Sequence, residues 1–255
     1  MMLHRTSIDL NSDVGERPSA LVDGSEHQLL RFVSSANIAC GGHAGDAESM
    51  KRVVDICLSL GVSIGAHPSY PDRTGFGRAK IEMGGTPLAE SISEQIDSLI
   101  VIARHAGATV RHVKPHGALY NTAVKDPELS DTIARAVAAI DRNLVLVGLA
   151  GSKMLEVWRA AGFIVAGEAF ADRRYESDGA LRSRSSEGAL ITNPDEAVGR
   201  VLTLVRDGEI CEADGTRFPA DAQTVCIHSD TENAIAIAQS VRSGLLGVGI
   251  DVKPF

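Results

Sequence analysis

About seven times along this chain, a short apolar run ends in a polar or glycine-bearing turn and gives way to a pattern of helical period. The runs are Ser7 to Asp13, Asn37 to Cys40, Val62 to Ala66, Thr109 to Lys114, Asn143 to Gly148, Phe163 to Glu168 and Thr224 to Ile227. Runs this short, bounded by turn residues and followed by apolar residues three and four apart, read as buried strands each feeding a helix. Strands alternating with helices build parallel sheets through right-handed crossovers. Polar, chemically active side chains follow at least five of the strands, whereas a doubly wound open sheet concentrates them at one switch point. The expected fold is therefore α/β, a distorted parallel α/β barrel of about seven strands, like a TIM barrel. No Pro-, Gly- or Ser-rich linker divides the chain, so residues 1–255 are expected to form a single domain.

Several helix starts carry their own punctuation. Asp126-Pro127, Asn193-Pro194 and Thr86-Pro87 place a capping side chain before a proline, and Ser25 to Gln28 has the spacing of a capping box. Asp46 is expected to cap a helix running to Leu60, with Gly61 ending it. Two long stretches lack any period, one from Ser69 to Gly85 and one from Ala169 through Arg184; both read as binding loops. Asp207 to Phe218 reads as a polar excursion.

A net charge of -8 argues against a nucleic-acid partner, and no apolar run approaches the length of a membrane span. The first seven residues lack the apolar core of a signal peptide. Cys40, Cys57, Cys211 and Cys226 are widely spaced and read as reduced thiols of a cytoplasmic protein. Phosphate-binding glycine loops and the nucleophile elbow Gly-x-Ser-x-Gly are absent.

The chemistry gathers at the strand ends. In Ser7 to Asp13 the residues alternate, so Asp9, Asn11 and Asp13 share one face and Ile8 and Leu10 the other. Likewise Val110, His112 and Lys114 share a face, with the lysine uppermost. The strand-end groups are Asp13 and Glu16, His43 and Asp46, His67, Lys114 and His116, Glu168 and Asp172, and His228 with Asp230. No pair has local metal-ligand spacing. A divalent metal would have to be assembled across strands from Asp13, His43, His67 and His116, and a structural hydrogen bond explains each histidine singly as well as ligation does. Lys114, fixed by Pro115, suits a developing oxyanion or a phosphate. Arg73, Arg78, Arg173 and Arg184 on the long loops suit a small anionic substrate. In Ser35 to Asp46 the glycines are expected to let a ligand reach backbone N–H groups at the helix start. There His43 should face Lys114 and His67 across a cavity, with Asp46 both cap and pocket residue.

Asp9 to Glu16, Ser35 to Asp46, Ala66 to Asp72 with Gly75-Phe76-Gly77-Arg78, Val113 to Asn121, Phe170 to Arg173 and Cys226-Ile227-His228 together resemble the LamB/YcsF family, the A subunits of ATP-hydrolysing 5-oxoprolinases. The resemblance runs from end to end. It implies a distorted barrel of the glycoside hydrolase/deacetylase superfamily. It further implies opening of the 5-oxoproline lactam to L-glutamate, with ATP as cosubstrate and subunits B and C as partners. Three positions depart from the family pattern: Ser12 where cysteine is usual, Gly42 where a large apolar residue is usual, and Ser229 where glycine is usual. All lie beside the site residues and put substrate identity and partner dependence in question.

The candidate catalytic set is thus Asp13, Glu16, His43, His67, Lys114 and His116. Asp13 or Glu16 would act as general base, and Lys114 and His116 would stabilise charge on oxygen. The candidate substrate-binding set is Asn11, Asn37, Asp46, Arg73, Arg78, Tyr120, Asp172, Arg173 and Arg184. Two other readings are a stand-alone metal-dependent amide or N-acetyl hydrolase, and a non-catalytic scaffold that binds a small acid.

Overall fold

The structure, a computed structural model, describes residues 5–212 and 214–255. The stretch expected to lack a signal peptide therefore lies mostly outside the described residues. Strand β1 (Ser7–Val14) leads through two short helices, α1 (Pro18–Val22) and α2 (Ser25–Leu30), to β2 (Ser35–Ala39) and α3 (Ala47–Leu60). Next come β3 (Ser63–His67), α4 (Gly85–His105), β4 (Val110–Val113), α5 (Gly117–Ala123) and α6 (Pro127–Ala138). The chain continues with β5 (Val145–Leu149), α7 (Lys153–Ala160), β6 (Val165–Phe170) and α8 (Pro194–Asp207). It closes with a hairpin of β7 (Glu209–Cys211) and β8 (Arg217–Pro219), then β9 (Thr224–Cys226), α9 (Ala234–Gly247) and β10 (Asp251–Val252).

Strands β1 to β6 and β9 pair in parallel in that order, and β9 returns to β1, closing a seven-stranded barrel. β10 adds to the lower end of β1 through Ser7 and Ile8. The expected barrel is present. The hairpin β7–β8 replaces most of the polar excursion expected from Asp207 to Phe218, and strand β10 lies in a segment with no expected element. Among the described residues, no helix is long and apolar enough to cross a membrane.

Side-chain caps account for three of the helix starts among the described residues. Asp46 and Ser49 form a reciprocal capping box on α3. The Asp126 and Asn193 side chains each accept two backbone N–H groups ahead of a proline. Two expected caps are corrected. α4 begins at Gly85 after Gly84, leaving Thr86 inside its first turn, and α2 begins at Ser25 itself after left-handed Gly24. The backbone at Gly84 and Gly24 makes the entry, so neither hydroxyl is needed as a cap.

The strands bury their outer face against the helices, and β1 shows the division. Ile8, Leu10 and Val14 join the apolar layer, while Asp9, Asn11 and Asp13 turn into the barrel, all buried. Inside, Gly65 on β3 makes room for the His112 ring; a Cβ there would collide with the imidazole. The ring rests between Asn37, whose Oδ1 accepts from Nε2 at 2.8 Å, and Phe255. Burial pushes His112 down to about 3, so it is a neutral filler of the barrel. Gly65→Ala is expected to cost about 1–3 kcal/mol of stability through overpacking, read as a lower urea midpoint at unchanged slope.

Below the site, Glu26 on α2 accepts a hydrogen bond from the Gly15 backbone N–H and so fixes the chain that presents Glu16. Burial raises Glu26 to about 7, against that hydrogen bond and with help from the Glu16 charge. Folding thus favours the protonated form: its contribution is whole below about pH 4.5 and is lost as pH rises through about 7. Glu26→Gln should flatten that slope. Between those limits wild type should lose up to about 3 kcal/mol relative to the variant, measured by denaturation at each pH.

Candidate active site

A cavity of about 800 Å³ opens at the carboxyl ends of the strands, where His67, Leu149 and Phe170 end three of them and Asp13 stands one residue before the end of a fourth. Its floor is a charged network. Lys114, which follows β4, places Nζ 2.9 Å from Asp13 Oδ1 and 2.8 Å from Glu168 Oε1, with Cys226 Sγ at 3.2 Å. Asn37 donates to Asp13 Oδ1 at 2.8 Å and to Asn11 Oδ1 at 2.7 Å, while Asn11 donates to Glu168 at 3.0 Å. Tyr120 closes the set by donating to Glu168 Oε2 at 3.0 Å. Burial opposes the charge on Lys114, but Asp13, Cys226 and Glu168 outweigh it and hold the ammonium well above its ordinary range. Burial likewise opposes the Asp13 carboxylate, and His67 and Lys114 outweigh that and keep it ionised.

Beside this floor stand three imidazoles around one carboxylate. Glu16 Oε1 lies 2.9 Å from His43 Nε2, 3.2 Å from His116 Nδ1 and 3.8 Å from His67 Nε2. His43 stacks on His116 with ring centroids 3.6 Å apart, and His67 meets both edge-on. Burial lowers His43 to about 4 and lowers His116. For His67 burial also works against the charge, but Asp13, whose Oδ2 is 3.4 Å from Nε2, outweighs it and raises the group. Burial would raise Glu16, yet its bonds to His116 and His43 hold it below the usual carboxylate range. Glu16, His43, His67 and His116 offer four atoms within 4.8 Å of one another, a set that could hold a metal ion. Asp13, Cys226 and His228 form a second such group, but there the Lys114 ammonium already supplies the cation.

A third unit faces the same space. His228 Nδ1 bonds Asp172 at 3.0 Å, and Asp172 also accepts from the His228 backbone and the Thr231 hydroxyl. The bond fixes the tautomer and leaves Nε2 aimed towards Asp13 Oδ2, 4.0 Å away. Phe170 stacks on the ring at 5.3 Å. An imidazole oriented by a buried carboxylate and open to a cavity is suited to moving protons.

The mouth is rich in guanidinium. Arg78 and Arg184 both bind Asp230, tying together the loops after β3, β6 and β9. Arg173 lies against the cavity with no ion pair among the described residues; one Nη donates to the Arg182 carbonyl and its Nε has no partner.

A LamB/YcsF family profile matches residues 8–255. The chain belongs to the LamB/YcsF family. It is 49% identical to the A subunit of a 5-oxoprolinase from Chloroflexus aggregans over 247 residues, 97% of this chain and 98% of that one. Among solved structures it resembles a lactam utilization protein from Thermus thermophilus, with a TM-score of 0.90 and 39% identity over 98% of this chain and all of the other. A family 4 carbohydrate esterase from Streptomyces lividans shares the fold alone, at 15% identity and a TM-score of 0.51 over 96% of this chain and 91% of that one.

For this LamB/YcsF chain, the residues picked out by sequence fall into three places. Asp13, Glu16, His67, Lys114, His116, Tyr120, Arg78, Arg173 and Arg184 line the cavity. Asn11 and Asn37 lie beneath it, and Asp172 lies behind His228 rather than in the ligand space. Asp46 and Arg73 are not brought to it. Asp46 is an exposed helix cap, and Arg73 donates to the Gly41 and Gly45 carbonyls at 3.1 and 2.7 Å.

The stretch before α3 is also corrected. His43 is shielded behind His116 instead of facing Lys114 across open space, and Gly42 and Gly45 serve close packing rather than ligand access. A Cβ at Gly45 would strike the Ala39 carbonyl, and one at Gly42 would strike Gln95 and Ser69. Gln95, which bonds the Ser69 backbone N–H and carbonyl, fills the space beside Gly42. Of the other family departures, the Ser12 hydroxyl donates to the Ile227 carbonyl at 2.6 Å, and the Ser229 carbonyl accepts from Arg17. Sequence reasoning gave no role to Glu168 or His228, although both stood among the strand-end groups. Lys125 and Arg182, also on the cavity, carry no signal beyond their loops, and Phe170 stood out only as part of the Phe170 to Arg173 stretch of the family likeness.

Lys114→Met would leave Asp13 and Glu168 facing one another without a cation. It is expected to cost about 3–5 kcal/mol. Adding Glu168→Gln should recover part of that loss, measured by urea denaturation of the single and double variants.

Proposed function

We propose that this chain opens the lactam ring of 5-oxoproline to L-glutamate as the A subunit of an ATP-hydrolysing complex with B and C subunits. The observation that carries the reading is the convergence of a carboxylate, Asp13 held by Lys114, and an oriented imidazole, His228 with Asp172, on a cavity whose mouth holds Arg173 without an acidic partner among the described residues. The names of the relatives support the substrate, and a cavity of about 800 Å³ has room beyond a single small ring.

Lactam hydrolysis forms a bond from water oxygen to the carbonyl carbon and breaks the ring C–N bond. The water gives up a proton and the leaving nitrogen gains one. Asp13, kept ionised by Lys114, takes the proton through Oδ2, and His228 Nε2, 4.0 Å from that oxygen, relays it to the nitrogen. Lys114 acts here as a positioning residue, since its three N–H groups are committed to the floor. Arg173 holds the substrate carboxylate with its planar fork. An unactivated amide is a poor electrophile. ATP, handled by the partner subunits, phosphorylates its oxygen and leaves as ADP; water then attacks, the C–N bond breaks to give an acyl phosphate, and a second water releases inorganic phosphate and glutamate, which fits a chain without a phosphate-binding glycine loop.

The test is glutamate release from 5-oxoproline and ATP by the chain mixed with B and C subunits. The chain alone should release none. Asp13→Asn and His228→Gln should each lower kcat by about 10²–10⁴ with the complex intact, and Arg173→Ala should act mainly on KM. Wild-type rates from Asp13→Asn would overturn the reading. The imidazole cluster favours a second one, a stand-alone metal-dependent amide or N-acetyl hydrolase, which would show as turnover without ATP or partners that a chelator abolishes.

A further inference from the structure

The hydrogen bonds on the far side of His67 and His116 dictate what their near sides can be. His67 Nδ1 lies 2.7 Å from the Lys114 carbonyl, and His116 Nε2 lies 3.0 Å from the Phe76 carbonyl. A carbonyl only accepts, so both outer nitrogens carry the hydrogen. The inner nitrogens, His67 Nε2 and His116 Nδ1, then face each other at 3.1 Å, with Glu16 Oε1 at 3.8 and 3.2 Å. For neutral rings this aims two lone pairs and a carboxylate at one point inside the protein. Such an arrangement is repulsive unless a positive charge sits there. Outer nitrogens held by backbone carbonyls, with inner nitrogens converging beside a carboxylate, are also what orients histidines towards a metal.

Backbone strain points the same way. Phe76, whose carbonyl holds His116, has a φ of 56°, in the left-handed region that a bulky residue rarely occupies. Gly77 next to it leaves room for the rings: a Cβ there would lie 3.0 Å from His43 Cβ and 3.1 Å from His116 Cδ2. The loop is thus fitted to the imidazole cluster.

We propose that His67 Nε2, His116 Nδ1 and Glu16 bind one borderline first-row divalent cation of the zinc class. These three residues line the cavity and His43 does not, so the ion would keep an open position towards ligand, as in catalytic rather than structural sites. His43 is a positioning residue: it donates Nε2–H to Glu16, and its buried Nδ1 has no partner that could take a hydrogen. As the group that polarises the lactam carbonyl, the ion rests on the function proposed above; as a binding site it rests on this geometry alone. The competing occupant is a proton on His67 Nε2, which Asp13 would favour.

The test uses the isolated full chain, stripped with chelator and titrated with Zn²⁺ and with Co²⁺ near neutral pH. The expected result is one equivalent bound, visible d–d absorption from the Co²⁺ form, and a Zn²⁺-dependent rise in Tm. Binding should weaken at least about 100-fold in His116→Gln and in His67→Ala, while Cys226→Ser leaves it unchanged. The wild-type chain decides the matter if those variants fail to fold. Less than a tenth of an equivalent bound at about 100 μM metal, with an NMR-visible proton on His67 instead, overturns the proposal. So does full binding that survives in a folded His67→Ala/His116→Gln variant. Stoichiometric metal without glutamate release by the complex would count against the functional reading and leave the site standing.

Discussion

One ammonium group inside a closed barrel sets the conditions for the rest. Lys114 stands at the top of β4 with its charge directed inward, where water cannot solvate it, and Asp13 and Glu168 take up its hydrogens. A buried ion pair is retained only when its remaining donors and acceptors are met, and here amides meet them. Asn11 and Asn37 link the two carboxylates across β1, β2 and β6, and Tyr120 adds a phenol from α5. Deeper still, Asp9 accepts from Ser34, Ser35 and Thr224, and burial raises it to about 6. The interior of this barrel is therefore polar by construction, and its apolar core lies between the strands and the helices.

Above that floor, the main chain decides which nitrogen of each histidine is available. Carbonyls of Lys114 and Phe76 orient His67 and His116, and the Asp172 carboxylate orients His228. The loops thus act on the chemistry without touching a ligand, by choosing tautomers. This is also why Phe76 adopts a backbone conformation that would otherwise be costly.

The parts of this architecture legible in the sequence are those with a period or a fixed offset. The alternation of Asp9, Asn11 and Asp13 announced an inward polar face because a strand has period two. Asp46, Asp126 and Asn193 announced helices because a cap stands at a set distance from the N–H groups it serves. Legibility failed where a partner remote in sequence does the work. Thr86 and Ser25 resemble caps, but Gly84 and Gly24 shape those entries through the backbone. Strand β10 has two residues and exists only because β1 offers an edge. Arg73 looked like a ligand-binding arginine, yet the carbonyls that claim it belong to a turn some thirty residues earlier. Asp172 and His43 stand in the right neighbourhood but one layer back, a distinction set by depth and not by order along the chain.

The ties at Asp230 have a consequence for how the cavity communicates with solvent. The loops after β3 and β6 are separated by about a hundred residues, yet each commits an arginine to the same carboxylate. They are joined at a single pivot. Displacing either guanidinium frees a charge beside the opening and at the same time loosens the span that the other one anchors. In a chain with net charge -8, that opening is a local reversal of sign, so an incoming acid meets attraction there. Access and electrostatic guidance are thereby governed by one shared joint, and the rim responds to charge as a unit.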